Sequence, residues 1–224
     1  MRCPASFERL AALLILIWLG GCAHPAYDYS SFKESRPASI LVLPPLNSSP
    51  DVAATYSLLS EATFPLAESG YYVLPVALVD ETFRQNGLDS PADIHQLPVE
   101  KLRQIFGADA ALYIEVKEYG TRYVVVASDT RVTAAARLVD LRSGKTLWAG
   151  AATASSNENN NSSGLGLAGL LIKAIVEQVV SNLADKAHAV AGVTANRLLA
   201  AGRPNGILYG PRSPLYLKDG SPAP

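Results

Sequence analysis

The residues whose types and spacing could do chemistry fall in a few short stretches, and most of them lack the context that the chemistry needs. Gly164, Gly166 and Gly169 match a GxGxxG. A dinucleotide site requires a strand running straight into those glycines and a ribose-binding acid after a second strand. Here the polar run Asn157 to Ser163 precedes them, and Asp185 falls in the same helical segment. Gly144-Lys145-Thr146 mimics the end of a phosphate loop, but the first glycine of that loop would have to stand at Val139. Ser30 and Lys33 have the Ser-x-x-Lys spacing of acyl enzymes, whose lysine must be desolvated against the serine. An exposed polar leader cannot supply that. His24, His95 and His188 are far apart, and although Asp185 is one turn from His188, neither a third ligand nor a triad partner stands near in sequence. Glu115 and Glu118 flank a strand end and suit a solvated face better than an acid/base pair. The expectation is a protein that is not an enzyme, with no cofactor and no metal site.

Cys22 is the exception. Arg2 and Arg9 give a positive start, Leu10 to Leu19 is an unbroken apolar run, and Gly20 and Gly21 are small enough for a peptidase site. Ten apolar residues cannot cross a bilayer, which takes roughly 20. Leu19-Gly20-Gly21-Cys22 resembles a bacterial lipobox, and that resemblance implies a diacylglycerol on the Cys22 thiol, cleavage before it and a third acyl chain on the new amino group. At about 0.8 kcal/mol per buried methylene, three chains anchor a protein essentially permanently. Sorting rules for such proteins disfavour Asp after the cysteine of outer-membrane cargo, and Ala23 follows here. The expected location is the periplasmic side of an outer membrane, with surface exposure left open and the membrane partner held through the lipid on Cys22.

Cleavage there leaves 203 residues, enough for one sizeable core. Their side chains balance 17 Lys and Arg against 19 Asp and Glu, which is no footprint for nucleic acid. Cys3 leaves with the signal and Cys22 is acylated, so stability must come from the core and not from disulfides. The expected organisation is a signal peptide over 1–21, a lipidated N-terminus and tether over 22–38, one α/β domain over 39–201 and a Pro/Gly-rich tail over 202–224, where parts of the apolar stretches Ile207 to Tyr209 and Leu215 to Leu217 dock and the end frays.

Within the domain, Ile40 to Leu43 is an all-apolar run closed by Pro44-Pro45 and suits a strand buried on both faces. Ser49-Pro50-Asp51 opens a helix with Val52, Tyr56 and Leu59 on one face, kinked or ended by Pro65 and closed by Gly70. Tyr71 to Leu74 is a second strand. Val76, Val79 and Phe83 stripe a second helix, and Ser90-Pro91 and Leu97-Pro98 start two more. From Ala110 the period changes to strands over 112–116, 123–128, 131–139 and 146–151, the last two joined through Arg142-Ser143-Gly144. A long amphipathic helix after the polar loop should close over the sheet. Two segments suit binding. Pro44, Pro45, Leu46 and Asn47 leave the C-terminal end of the first strand, where open α/β sheets place ligands, or else form a stiff turn. The apolar run carrying Leu165, Leu167 and Leu170 follows a loop too polar to pack, and faces a partner or a second copy, or else belongs to the core.

The segments 27–52, 68–88, 101–121, 136–150 and 205–211 together resemble a proteobacterial family of outer-membrane lipoproteins of undefined molecular function, typified by a neisserial surface antigen. More loosely, the element order is similar to the periplasmic domains of the curli-secretion lipoprotein and to the N-terminal domain of the Tol-system propeller protein. The resemblance implies a mixed α/β (α+β) sheet with helices packed on it, of anticodon-binding-like or Tol N-terminal-domain-like type. It also implies an assembly or transport accessory that binds another envelope protein, with a homo-oligomer left open and no catalytic residues to carry over. An enzyme acting on envelope material is the alternative; a pore subunit lacks alternating lipid-facing strands of about ten residues.

Overall fold

A computed structural model describes residues 27–124, 127–158 and 183–219. The run expected as a two-faced strand is β1 (Ser39–Val42), which lies between β3 (Tyr72–Val73) and β4 (Ala110–Val124) and is parallel to both. Antiparallel β5 (Ala127–Asp140) and β6 (Thr146–Ser155) extend the sheet to the order β3-β1-β4-β5-β6. After the two prolines the chain rejoins the sheet as β2 (Leu46–Asn47), parallel to β4 beyond the end of β1. The helices are α1 (Ser30–Ser35), α2 (Ala54–Glu68), α3 (Val76–Gln85), α4 (Pro91–Ile94), α5 (Val99–Phe106) and α6 (Leu183–Leu199). Among the described residues no helix is long and apolar enough to cross a membrane.

Alternation along β1 divides two cores. Ile40 and Val42 face α2 and α6, meeting Leu58, Leu66, Val190 and Leu198, while Leu41 and Leu43 face α3, α4 and α5 through Val79, Phe83, Ile94 and Leu102. The second set of helices covers only the β1 side of its face. On the β5 and β6 side that face is bare, and Ala149 and Ala151 are exposed on it.

Three expectations need correction. The first long helix begins at Ala54 rather than at Pro50 and runs through Pro65 to Glu68. Its buried side is Leu58, Leu59, Ala62 and Leu66, whereas Val52 and Tyr56, expected inside, are 89% and 47% exposed. Asn47 is the cause: its side chain accepts from the Ser49 amide and donates to the Asp51 carbonyl, holding Ser49 to Asp51 as a turn. The strands are also longer than their apolar runs, because β4 and β5 form one hairpin of 15 and 14 residues, and 123–128 is its tip rather than a separate strand. Finally, the expected tether is folded from Tyr27 on. Phe32 is buried in the α2 core, the Tyr27 hydroxyl accepts the Ala149 amide at 2.8 Å, and Tyr29 donates to the Gly206 carbonyl at 2.6 Å.

Two aspartates fix the end of the sheet where that segment crosses. Asp109 accepts the Ala38 and Ser39 amides, at 3.0 and 3.1 Å, and a 2.6 Å bond from Arg142. Asp140, 3% exposed, accepts the Arg142 and Ser143 amides and the Ser35 hydroxyl, which closes the β5–β6 turn. Burial alone would raise both carboxyls, but these donors outweigh it and hold both below the usual value. The expected docking of Ile207 and Leu208 is found, since both are buried.

Candidate functional site

The proline exit does not form an open edge. Pro44 and Pro45 are buried, Leu46 is half-buried, and only Asn47 of the four is exposed, with its amide engaged in the turn. The Pro45 carbonyl accepts from Thr55 at 3.2 Å. That of Pro44 accepts from His95 Nε2 at 2.9 Å. His95 sits edge-on to Tyr113 with ring centroids 5.2 Å apart, and Arg137 lies 3.9 Å over the Tyr113 ring. Burial pushes its imidazole below the ordinary value, with Arg137 adding to the effect and the Pro44 carbonyl and Glu115 opposing it. This is a plug that seals the strand end. Leu165, Leu167 and Leu170 lie outside the described residues, as does Cys22.

The structure instead brings together four residues that sequence spacing leaves apart. Ser57 and Glu61, one turn apart on α2, face His188 on α6. Ser57 Oγ is 2.8 Å from His188 Nδ1, and Glu61 Oε1 is 3.0 Å from Nε2. Tyr119 of β4 donates to Ser57 Oγ at 2.8 Å. Its side chain reaches this face because the β4 register slips between Val116 and Glu118; without that bulge, Tyr119 would point to the opposite face. Glu61 lies against Gly192 of α6, where a Cβ would come within 2.9 Å of Glu61 Oε2 and push that carboxylate aside. With a neutral imidazole that carries its proton on Nε2, donation runs one way, from Tyr119 to Ser57 to His188 to Glu61.

The connectivity is that of a nucleophilic triad with the two ring nitrogens exchanged. An acyl-transfer site also needs free N–H groups aimed at a developing oxyanion. Ser57 is the fourth residue of α2, and its own amide is spent on the Ala53 carbonyl at 2.9 Å, so the serine's own N–H is not free for such a role. What the arrangement can do is clamp α2 to α6. His188→Ala should cost about 1 kcal/mol, the usual worth of a partly exposed hydrogen-bonded side chain. A cycle with Ser57→Ala by urea denaturation should show coupling of roughly 0.5–1 kcal/mol. Strict additivity of the two losses would refute the clamp.

Two features border β6. Its outer edge is blunted by Tyr27, by Arg197 donating to the Thr153 carbonyl at 2.7 Å, and by Glu158 accepting the Ser155 amide at 2.8 Å, so another strand does not add there unopposed. Between α1 and the C-terminal segment lies a cavity of about 250 Å³, lined by Phe32, Lys33, Arg36, Tyr71, Tyr216 and Leu217 among others.

The model of the family described as "Putative lipoprotein GNA1162-like" matches residues 27–212. A Neisseria meningitidis serogroup B protein with the name "Putative lipoprotein NMB1124/NMB1162" is 53% identical over 203 residues, which is 91% of this chain and 94% of that one. The crystal structure of lipoprotein GNA1162 from Neisseria meningitidis is 55% identical, has a TM-score of 0.54, and covers 65% of this chain and 100% of that one. A PelC dodecamer from Paraburkholderia phytofirmans matches at 16% identity and a TM-score of 0.40 over 78% of this chain and 90% of that one, a distance at which nothing follows for this chain.

Proposed function

The chain belongs to the GNA1162-like lipoprotein family, and from that premise we propose that it is a non-enzymatic module, lipid-anchored through Cys22 on the periplasmic face of the outer membrane, that binds another envelope protein as an assembly or transport accessory. The observation that carries the non-enzymatic part is the Ser57–His188–Glu61 set. It is the nearest approach to a catalytic constellation among the described residues, and its serine belongs to a regular helix with its own amide bonded to the Ala53 carbonyl instead of facing an oxyanion. The binding part is supported by the bare half of the sheet, where Ala149 and Ala151 offer a flat exposed face that no element of the described chain covers. The outer-membrane location is supported by Ala23 after the cysteine.

The hydrolase alternative draws on one observation, the triad-like connectivity itself. Photo-crosslinkers placed at Ala151 and at Leu167 in intact cells, followed by mass spectrometry of the adducts, test both readings. A discrete adduct with one envelope protein or with a second copy is expected, and a fluorophosphonate probe should leave Ser57 unlabelled. Absence of any discrete adduct from both positions, or Ser57 labelling that Glu61→Gln abolishes, would overturn the proposal.

A further inference from the structure

The N-terminal and C-terminal segments cross the same end of the sheet. Residues 27–38 run from Tyr27 on the β6 amide of Ala149, past Ser35 on Asp140, to Ala38 on Asp109 just before β4. Residues 201–219 follow a similar course, from Asn205 under the Trp148 indole, past Leu208 under the Tyr71 hydroxyl, to Arg212 on the Gly70 carbonyl. At Gly70 and Gly210 the two backbones approach so closely that a Cβ on either would collide with the other's carbonyl oxygen or its neighbours. Together the segments make a floor under the starts of β1, β3 and β4. The β4–β5 hairpin points the other way, and at about 3.3 Å per residue its 15-residue strand puts the tip roughly 45 Å from that floor.

The floor differs from the rest of the surface. It carries Lys33, Arg36, Arg203, Arg212 and Lys218 against Asp28, Glu34 and Asp219, in a chain with 19 basic and 20 acidic residues overall. Leu215 and Leu217 are 45% and 59% exposed there, and Leu217 is held outward by a backbone in the left-handed region, φ 64°, which a leucine rarely adopts. Tyr72, 47% exposed, lies under Arg212 at 5.3 Å. Exposed leucines between tyrosines and cations are the pattern of an interfacial contact, where tyrosine sits at headgroup level and lysine or arginine reaches back to phosphate.

We infer that this floor is a membrane-contacting face that seats Leu215 and Leu217 in the headgroup layer of the leaflet holding the anchor, with Lys33, Arg36 and Arg212 on lipid phosphates. The inference rests on lipidation at Cys22, and chain length selects a lipid surface over a protein as the occupant. Only five peptide steps separate Cys22 from Tyr27, at most about 18 Å of chain, so the floor cannot leave the bilayer surface by much more than two Debye lengths of roughly 8 Å. The body then stands upright, with the hairpin tip directed away from the lipid.

The test uses the lipidated protein purified from membranes. Once Cys3 is removed with the signal and Cys22 is a thioether, an introduced cysteine is the sole thiol. Leu217→Cys and Arg122→Cys, the latter near the hairpin tip, are labelled with an environment-sensitive fluorophore. They are then reconstituted in vesicles of phosphatidylethanolamine and phosphatidylglycerol containing headgroup-nitroxide lipid. Quenching at 217 should exceed that at 122 several-fold, and Lys33→Glu with Arg36→Glu should at least halve it. Equal quenching at the two positions overturns the inference. So does a 217 probe that escapes lipid quenching yet is shielded from iodide only in whole envelopes, which would mean that a protein covers the floor. Leu215→Cys replaces Leu217→Cys if circular dichroism shows the latter misfolded. Failure of the lipid premise is read separately, as a purified protein whose mass shows no acyl chains on Cys22.

Discussion

Val42→Asp is expected to lose about 3–5 kcal/mol of stability, the range seen when an unpaired charge is left in a core. Val42 is fully buried in the middle of the sheet. Its backbone pairs with Leu112 of β4, and its side chain belongs to the cluster formed by Ile40, Leu58, Leu66 and Val190. Among the described residues that cluster is built of apolar side chains, so the carboxylate must either be protonated or drag water into the α2 side of the core. For a domain of this size each kcal/mol moves the melting temperature by roughly 2–4 °C, so a fall of about 6–20 °C is expected, or outright loss of the folded state. Val52→Asp is the internal control. At 89% exposure it should shift the transition by no more than about 0.5 kcal/mol, although the apolar spacing in the sequence puts Val52 on the same buried stripe as Leu59. Thermal melts of the two variants that coincide would show that β1 is not the centre of the sheet.

That pair of valines also shows which information is local. Ile40 to Leu43 is recognisable because a strand buried on both faces leaves no polar alternation to misread. The α3 stripe and the Arg142-Ser143-Gly144 turn are legible for the same reason, since periodicity and turn chemistry are properties of neighbouring residues. The phase of α2 is not. Val52, Tyr56 and Leu59 fit a helical stripe as well as Leu58, Ala62 and Leu66 do, and the choice is made by the Asn47 side chain two residues before the Ser49-Pro50-Asp51 segment expected to start the helix. The lengths of β4 and β5 were hidden because Glu115, Lys117, Glu118 and Arg137 lie on the part of that face which α3, α4 and α5 leave uncovered, so polar residues there look like strand ends. In the N-terminal segment one signal was available: Tyr29 and Phe32 stand three apart and meet edge to face at 6.4 Å, which a tether has no reason to arrange. For Ser57, Glu61, Tyr119 and His188 the sequence holds only the i, i+4 spacings of Ser57 with Glu61 and of His188 with Gly192. Their convergence depends on how two helices cross and on a one-residue bulge, which are long-range facts.

Cys22→Ser should reduce incorporation of labelled palmitate into this protein to background. Serine cannot form the thioether, and the one thiol left in the uncleaved variant, Cys3, stands before the apolar run and outside the lipobox-like Leu19-Gly20-Gly21. The peptidase of this route cuts before an already acylated cysteine, so an uncleaved precursor is expected to accumulate. It is heavier than the mature polypeptide by residues 1–21 and is held only by the apolar run Leu10 to Leu19. That run is half the length needed to span a bilayer, so carbonate or mild detergent should release the variant where the triacylated parent stays in the membrane fraction. Because the described body is folded from Tyr27 on, the variant should melt as the parent does. A change in anchoring would then be separable from a change in folding. Acyl labelling that survives Cys22→Ser would place the lipid elsewhere and remove the basis for both the outer-membrane proposal and the orientation of the floor.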